Sequence, residues 1–111
     1  MAITKAHLTW TGPESDVLGL WVDDPTLHNW LATATDDDLV ALLVESDEYD
    51  EPTGRVAGLE VVGFLDFNRW DRLPNLSTLW QVARDKPRPL VELLKQEQKA
   101  LHQQARARNS G

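Results

Sequence analysis

Residues 55–67 carry the clearest structural pattern in the sequence and limit the fold more than any other segment. Small or apolar residues recur at every second position, at Ala57, Leu59, Val61 and Gly63, so they share one face of an extended strand. We expect this face to meet the core, because burial of apolar surface is the main force that stabilises a domain. Gly63 is a suitable place for a bend or bulge that changes the alternation.

Glu60 lies on the opposite face of this strand, where it alternates with Val56, Gly58 and Val62. If that face were buried, the carboxylate would need a partner or a shifted pKa. If the face meets water, Glu60 is an ordinary polar position of a half-buried strand, and we prefer this interpretation.

Three further segments are typical of strands. Residues 7–10 and 17–22 flank a turn rich in Gly, Pro, Ser and Asp, which is the arrangement of a hairpin. Residues 39–46 are mostly apolar and precede an acidic turn, so we expect them to pair with residues 55–67. Gly19 indicates a bulge or a close approach of another group to the backbone.

Two segments have patterns that fit more than one structure. Residues 26–35 fit a short helix with Leu27 and Leu31 on one face, and they fit a strand in which Trp30 alternates with alanines. Residues 39–44 also fit a helix, because the aspartates at 36–38 would suit its N-terminus. For residues 39–46 we prefer a buried strand.

Helical patterns dominate after Phe67. Residues 75–84 suit a helix capped by Asn75. Pro89 suits the first position of a last helix that runs to about residue 108. The apolar stripe of this last helix consists of Leu90, Leu93, Leu94 and Leu101.

These patterns predict an α+β fold: an antiparallel meander of about four strands followed by two C-terminal helices. The 111 residues form one domain, and the chain has no Cys, so disulfides and thiolate metal ligands are excluded. Residues 1–66 carry 14 acidic and two basic side chains, whereas residues 67–111 carry four acidic and nine basic ones. We interpret the two parts as an acidic sheet region and a basic helical extension.

Residues 13–22 consist of an acidic turn, an Asp, an apolar residue and a short strand. Residues 48–63 consist of an Asp-containing turn with Gly and an apolar strand that includes the step Gly58-Leu59-Glu60. Both segments resemble motifs of a small bacterial family catalogued as domain of unknown function 2283. The resemblance covers about residues 7–65 and implies a small antiparallel sheet of hairpins with a helix. It implies no catalytic residue, and Gly19 departs from the family's pattern.

Enzymatic chemistry has little support in the sequence. No Ser lies in the sequence context of an activated nucleophile, and the three His have no zinc-binding spacing. The acidic clusters at 36–38 and 47–51 lack the alternating pattern of a calcium loop. We therefore expect no catalytic residue, no metal site and no cofactor, and a small enzyme is the third hypothesis.

We expect a cytoplasmic protein that does not enter membranes. The start of the chain lacks the basic stretch and long apolar run of a signal peptide. The longest strictly apolar run, residues 39–44, is far shorter than the roughly 20 residues that a membrane-spanning helix needs.

Nucleic-acid binding by the basic part is the second hypothesis. Basic and Trp side chains occur together there, which suits phosphate contact and base stacking. The candidate residues are Arg69, Trp70, Arg72, Arg84 and Arg88. The net charge of −7 weighs against this function.

Our preferred hypothesis is a non-enzymatic protein-interaction or regulatory module. The acidic and basic parts allow pairing with a protein partner or with a second copy of the chain. A small acidic protein with a helical tail also resembles a toxin-neutralising antitoxin in shape. The predicted partner-binding residues are Leu94, Leu101, Arg106 and Arg108.

Overall fold

A computed structural model describes residues 2–27, 29–35, 37–74 and 76–109, with side chains in the last helix described as far as residue 104. In this part of the chain, six strands form one sheet in the order β3-β4-β5-β2-β1-β6, and one α-helix follows them. The strands are β1 (Ile3–Trp10), β2 (Val17–Val22), β3 (Trp30–Ala34), β4 (Val40–Ser46), β5 (Pro52–Val62) and β6 (Leu79–Val82). The helix, α1, comprises Leu90–Asn109.

The apolar pattern of the strands explains how they pair. β1 and β2 form a hairpin, β3 to β5 form a meander, and β2 joins β5 in antiparallel orientation. In that central pair Leu20 lies opposite Leu59 and Leu18 opposite Val61, so the apolar positions of both strands share one face. A shift by one residue would turn these side chains to the other face.

The helix α1 packs on this face, which we call the helix side of the sheet. Leu90, Leu93, Leu94 and Leu101 are buried there with strand residues and with Phe64 and Phe67. The side-chain amide of Gln98 donates to the carbonyl oxygens of Phe64 and Phe67, at 2.7 and 2.8 Å. These bonds tie the middle of α1 to the chain that follows β5.

The predicted α+β class and the mainly antiparallel sheet are confirmed, whereas the predicted number of elements is wrong. The described residues contain six strands rather than four and one α-helix rather than two. The sheet is not a simple meander, because β2 pairs with β5 and β6 runs parallel to β1.

The helix predicted for residues 75–84 is wrong. Its second half is β6. Ala83 has a φ of 54°, which is incompatible with a right-handed helix. An isolated helix of ten residues is marginal, and pairing with β1 buries the Trp80 side chain to 1% exposure. The proposed cap, Asn75, lies outside the described residues.

The strand alternative is the correct one for residues 30–34, and the preferred strand for residues 39–46 is confirmed with bounds of 40–46. Before β3, Asp24 accepts hydrogen bonds from the backbone and hydroxyl of Thr26 at 2.9 and 2.7 Å, which forms a turn rather than a helix. Residues 28 and 36 lie outside the described part.

The alternation of β5 changes within the strand. Leu43 pairs with Gly58 but Val44 pairs with Val56, so Ala57 is an extra residue and Val56 moves to the helix side. Gly63 ends β5 with a φ of 68°. The predicted break at Gly63 is therefore present, but the bulge lies earlier than expected.

Within the described residues, α1 and the other helical segments are too short or too polar to cross a membrane.

Candidate functional site

The helix side of the sheet is open at one end, where a cavity of about 660 Å³ forms. We call it the end groove. Val22, Val56 and Trp80 supply apolar lining from three strands, while Lys5, Asp24 and Arg55 are among the charged lining residues. The described lining residues come from β1, β2, β5, β6 and the adjoining loops, and none belongs to α1.

An ion network orders the rim of the end groove. The Arg55 guanidinium contacts Asp24 at 2.6 Å and Glu45 at 3.2 Å, so it connects β5 to β4 and to the chain that follows β2. Hydrogen bonds from Thr26, with a further contribution from Arg55, lower the pKa of Asp24 below its ordinary value. Asp23 pairs with His7 at 2.5 Å.

Three lining residues have a polar side-chain group without a partner among the residues that the structure describes. Lys5 forms no ion pair, and Ser77 no side-chain hydrogen bond, with any residue that the structure describes. The Nε1–H of Trp80 is buried without a hydrogen-bond partner among those residues. Most buried polar groups have partners, so this N–H is an exception.

A second polar cleft, of about 480 Å³, lies around Asp37. The Asp37 side chain is 2% exposed; it accepts from the backbone of Leu39 at 2.9 Å and pairs with Arg69 at 3.2 Å. These two partners, in that order of importance, lower the pKa of Asp37 against the opposing effect of burial. Asp38 is 3.6 Å from Arg69 and almost fully exposed.

The five residues of the nucleic-acid hypothesis have different surroundings. Arg69 and Arg72 share the cleft with Asp37, Asp38 and Asp71.

Trp70 packs edge-on against Phe67 at 5.1 Å, and the Lys95 ammonium lies 5.7 Å from its ring centre. Arg84 is exposed near the end of β6, and Arg88 contacts Glu92 at 3.5 Å. The Trp that was expected to stack on bases is thus part of the internal packing.

The predicted partner-binding residues divide between the core and the end of α1. Leu94 is 0% exposed and Leu101 is 4% exposed, and both pack in the chain's own core. Arg106 and Arg108 belong to α1, but their side chains lie outside the described part. The described exposed surface of the helix is charged and polar, as at Lys95 and Lys99.

The face of the sheet opposite α1, which we call the outer face, carries a pair of indoles. Trp21 of β2 and Trp30 of β3 have ring centres 5.2 Å apart. Because β4 and β5 lie between these strands, the two rings reach over them. Leu43 is fully buried on this face, whereas Trp30 is 47% exposed.

The two edges of the sheet differ in how they are covered. At the β6 edge, the backbone groups of Trp80 exchange hydrogen bonds with Arg88 at 2.7 and 2.9 Å. At the β3 edge, the described residues form pairs only with β4. In an antiparallel pair, every second residue directs its backbone N–H and C=O groups toward the partner strand. The Ser46 amide donates to the Asn29 carbonyl, so Asn29 is one of these residues. The backbone groups of Trp30, Ala32 and Ala34 therefore point away from β4.

Glu60 lies on the outer face opposite Gly19 and Ala41 and is half-buried. No group of three or more His, Asp or Glu side chains in the described residues is arranged to hold a metal ion. The acidic segment after β4 is a turn in which Asp47 accepts from the amides of Tyr49 and Glu51.

The end groove and the β3 edge are not predicted by the sequence patterns. The signal for β3 was present in the alternation of Trp30, Ala32 and Ala34. The groove depends on β6, which the sequence pattern assigned to a helix.

The chain matches none of the protein-family models, curated proteins or solved structures with which it was compared. The resemblance of residues 7–65 to domain of unknown function 2283 stays a prediction.

Proposed function

We propose that the protein is a non-enzymatic interaction module that binds an extended segment of a partner protein along the β3 edge. The observation that carries the proposal is the row of outward-pointing backbone groups at Trp30, Ala32 and Ala34, which the described residues leave without pairing. An extended peptide can add to such an edge as a further strand.

The side chains at this edge support recognition as well as backbone pairing. Sheet edges in proteins are commonly protected by charged residues, Pro or a covering segment. β3 contains no charged residue and no Pro, and its exposed Trp30 offers an apolar contact on the outer face. Trp is among the residues that contribute most to binding at protein interfaces.

Charge indicates which kind of partner would bind. Residues 1–66, which include β3, carry 14 acidic and two basic side chains. The Asp38 side chain, beyond the end of β3, is 93% exposed. This acidic surface would attract a strand with basic residues at its ends. A second copy of the chain would place two acidic surfaces against each other, and these would repel.

The test uses a peptide of alternating Thr and Val with two Lys at each end, and a matched peptide with Glu in place of Lys. Ala32→Pro removes an amide that β4 does not use, so the fold should be retained. We expect the Lys peptide to bind the unchanged protein and Ala32→Pro to weaken binding roughly tenfold or more. The Glu peptide should bind more weakly.

Ala32→Val is the matched control, because it keeps the backbone amide and suits an exposed strand position. It should bind the Lys peptide as the unchanged protein does. Equal binding by Ala32→Pro, or no binding of the Lys peptide by the unchanged protein, would contradict strand addition at β3.

A further inference from the structure

Glu60 lies in a row of small residues that crosses the outer face of the sheet. Ala34 of β3 lies opposite Ala41 of β4, Ala41 lies opposite Glu60 of β5, and Glu60 lies opposite Gly19 of β2. Ala34 is exposed and Ala41 is half-buried. The side chains in line between Glu60 and the β3 edge are therefore two methyl groups.

The Glu60 carboxylate has no partner among the residues that the structure describes. It takes part in none of their ion pairs or side-chain hydrogen bonds, although Glu60 is half-buried. Arg55, which also belongs to β5, pairs with Asp24 and Glu45 instead. A cation brought to Glu60 would form a charge-assisted hydrogen bond, which is stronger than a neutral one.

A strand added at the β3 edge would bring side chains within reach of Glu60. Its backbone would stand three strand spacings from β5, or about 14 Å. Side chains on the outer face already close this separation, because Trp21 of β2 and Trp30 of β3 also stand three spacings apart and have ring centres 5.2 Å from each other. Residues directly opposite in an antiparallel pair share one face. A partner residue opposite Ala34 would therefore direct its side chain along the row toward Glu60.

Arginine is the side chain that fits this row. Its apolar stem packs on methyl groups while its charged end extends beyond them. Its planar guanidinium also matches a carboxylate through two parallel hydrogen bonds, whereas a lysine offers a single point charge.

We propose that Glu60 selects partner strands that carry an arginine opposite Ala34, and that the guanidinium of this arginine pairs with the Glu60 carboxylate above Ala41. This inference rests on the proposed strand addition at β3, and it names a residue that the added strand contains.

The test compares two peptides by calorimetry. Both are the Lys peptide with its central Thr replaced, by Arg in one and by Gln in the other. We expect the unchanged protein to bind the Arg peptide roughly threefold to tenfold more tightly than the Gln peptide. Glu60→Gln keeps the length of the side chain without its charge, so it should bind the two peptides equally.

Glu48→Gln is the matched control, because Glu48 lies in the exposed turn after β4 and its substitution removes the same charge. This variant should keep the preference for the Arg peptide. Equal binding of the two peptides by the unchanged protein, or a preference that survives Glu60→Gln, would overturn the proposal. Weaker binding of the Gln peptide by Ala32→Pro would still support strand addition, so failure at Glu60 is distinguishable from failure at the β3 edge.

A second measurement uses the unchanged protein and does not depend on the folding of any variant. In its complex with the Arg peptide, we expect nuclear Overhauser contacts between the central Arg side chain and the methyl groups of Ala34 and Ala41. Absence of these contacts from the saturated complex would overturn the proposal.

Discussion

Gly58 shows how closely single residues constrain this sheet. A Cβ atom at this position would lie 2.3 Å from the backbone carbonyl oxygen of Leu20, in the neighbouring strand. A side chain could rotate to relieve such a contact, but a backbone carbonyl group cannot, so the two central strands would have to separate. A glycine is therefore required for the contact between β2 and β5.

We predict that Gly58→Ala lowers the free energy of unfolding by about 2–4 kcal/mol, because overpacking here displaces backbone. Urea unfolding followed by circular dichroism measures the change.

Gly19→Ala is the comparison. A Cβ there would meet the side chains of Trp21 and Thr9 at 2.5 and 2.7 Å, and these can shift without moving the backbone, at the cost of the hydrogen bond between them. Its cost should be smaller than that of Gly58→Ala; the reverse order would contradict the close contact at Leu20.

The Asp37 carboxyl should make stability depend on pH. Its folded-state pKa lies below the ordinary value of 3.8, so its ionised form stabilises the fold at neutral pH. That contribution is lost as the pH falls below about 4 and through the lowered pKa. We predict that Asp37→Asn, which keeps an acceptor for the Leu39 amide, loses less stability on acidification than the unchanged protein.

Urea unfolding between about pH 7 and pH 3 measures this difference. Asp38→Asn is the control, because Asp38 is 93% exposed and should change the pH dependence little. Parallel curves for the unchanged protein and Asp37→Asn would contradict the lowered pKa of Asp37.

At the scale of elements, α1 depends on its buried leucines. Leu94 is 0% exposed, so its truncation leaves a cavity under the helix. We predict that Leu94→Ala destabilises the protein by about 2–5 kcal/mol, whereas Lys99→Ala on the exposed surface changes stability by less than about 0.5 kcal/mol. Thermal unfolding of the two variants checks this, and similar midpoints would place α1 off the sheet.

Elements with strong internal patterns could be predicted from the sequence, and elements that depend on distant partners could not. The apolar alternation at Leu59 and Val61 identified β5, and the leucine stripe identified α1. β6 has only four residues and is stabilised by pairing with β1, more than 70 positions away. Its helical pattern was overridden by that tertiary contact.

The candidate sites were harder to predict from the sequence than the strands, because they also depend on contacts between distant residues. Leu94 and Leu101, which are predicted to bind a partner, are buried in the chain's own core. The end groove requires Thr4 and Trp80 to be neighbours, and the parallel pairing of β1 and β6 brings them together. No local spacing in the sequence reports such a juxtaposition.

At the scale of the whole molecule, the acidic and basic parts share one core but form few ion pairs with each other. Among the described residues, Arg69 alone links them by ion pairs, to Asp37 and Asp38. The acidic character of the sheet is therefore available to a partner.

We predict that raising the salt concentration from about 50 mM to about 500 mM weakens binding of the Lys peptide, because screening reduces long-range attraction. Calorimetry at both concentrations measures it. The Glu peptide should lose no affinity. A salt-independent affinity for the Lys peptide would indicate that the acidic part does not take part in recognition.

We propose that a partner binds at the β3 edge and not at α1. The most direct measurement is amide hydrogen exchange by NMR with and without the Lys peptide. We predict that the amides of Trp30, Ala32 and Ala34 exchange faster than those of Leu31 and Thr33 in the free protein, and become protected on binding. Protection confined to α1, with no change at these three amides, would contradict the claim.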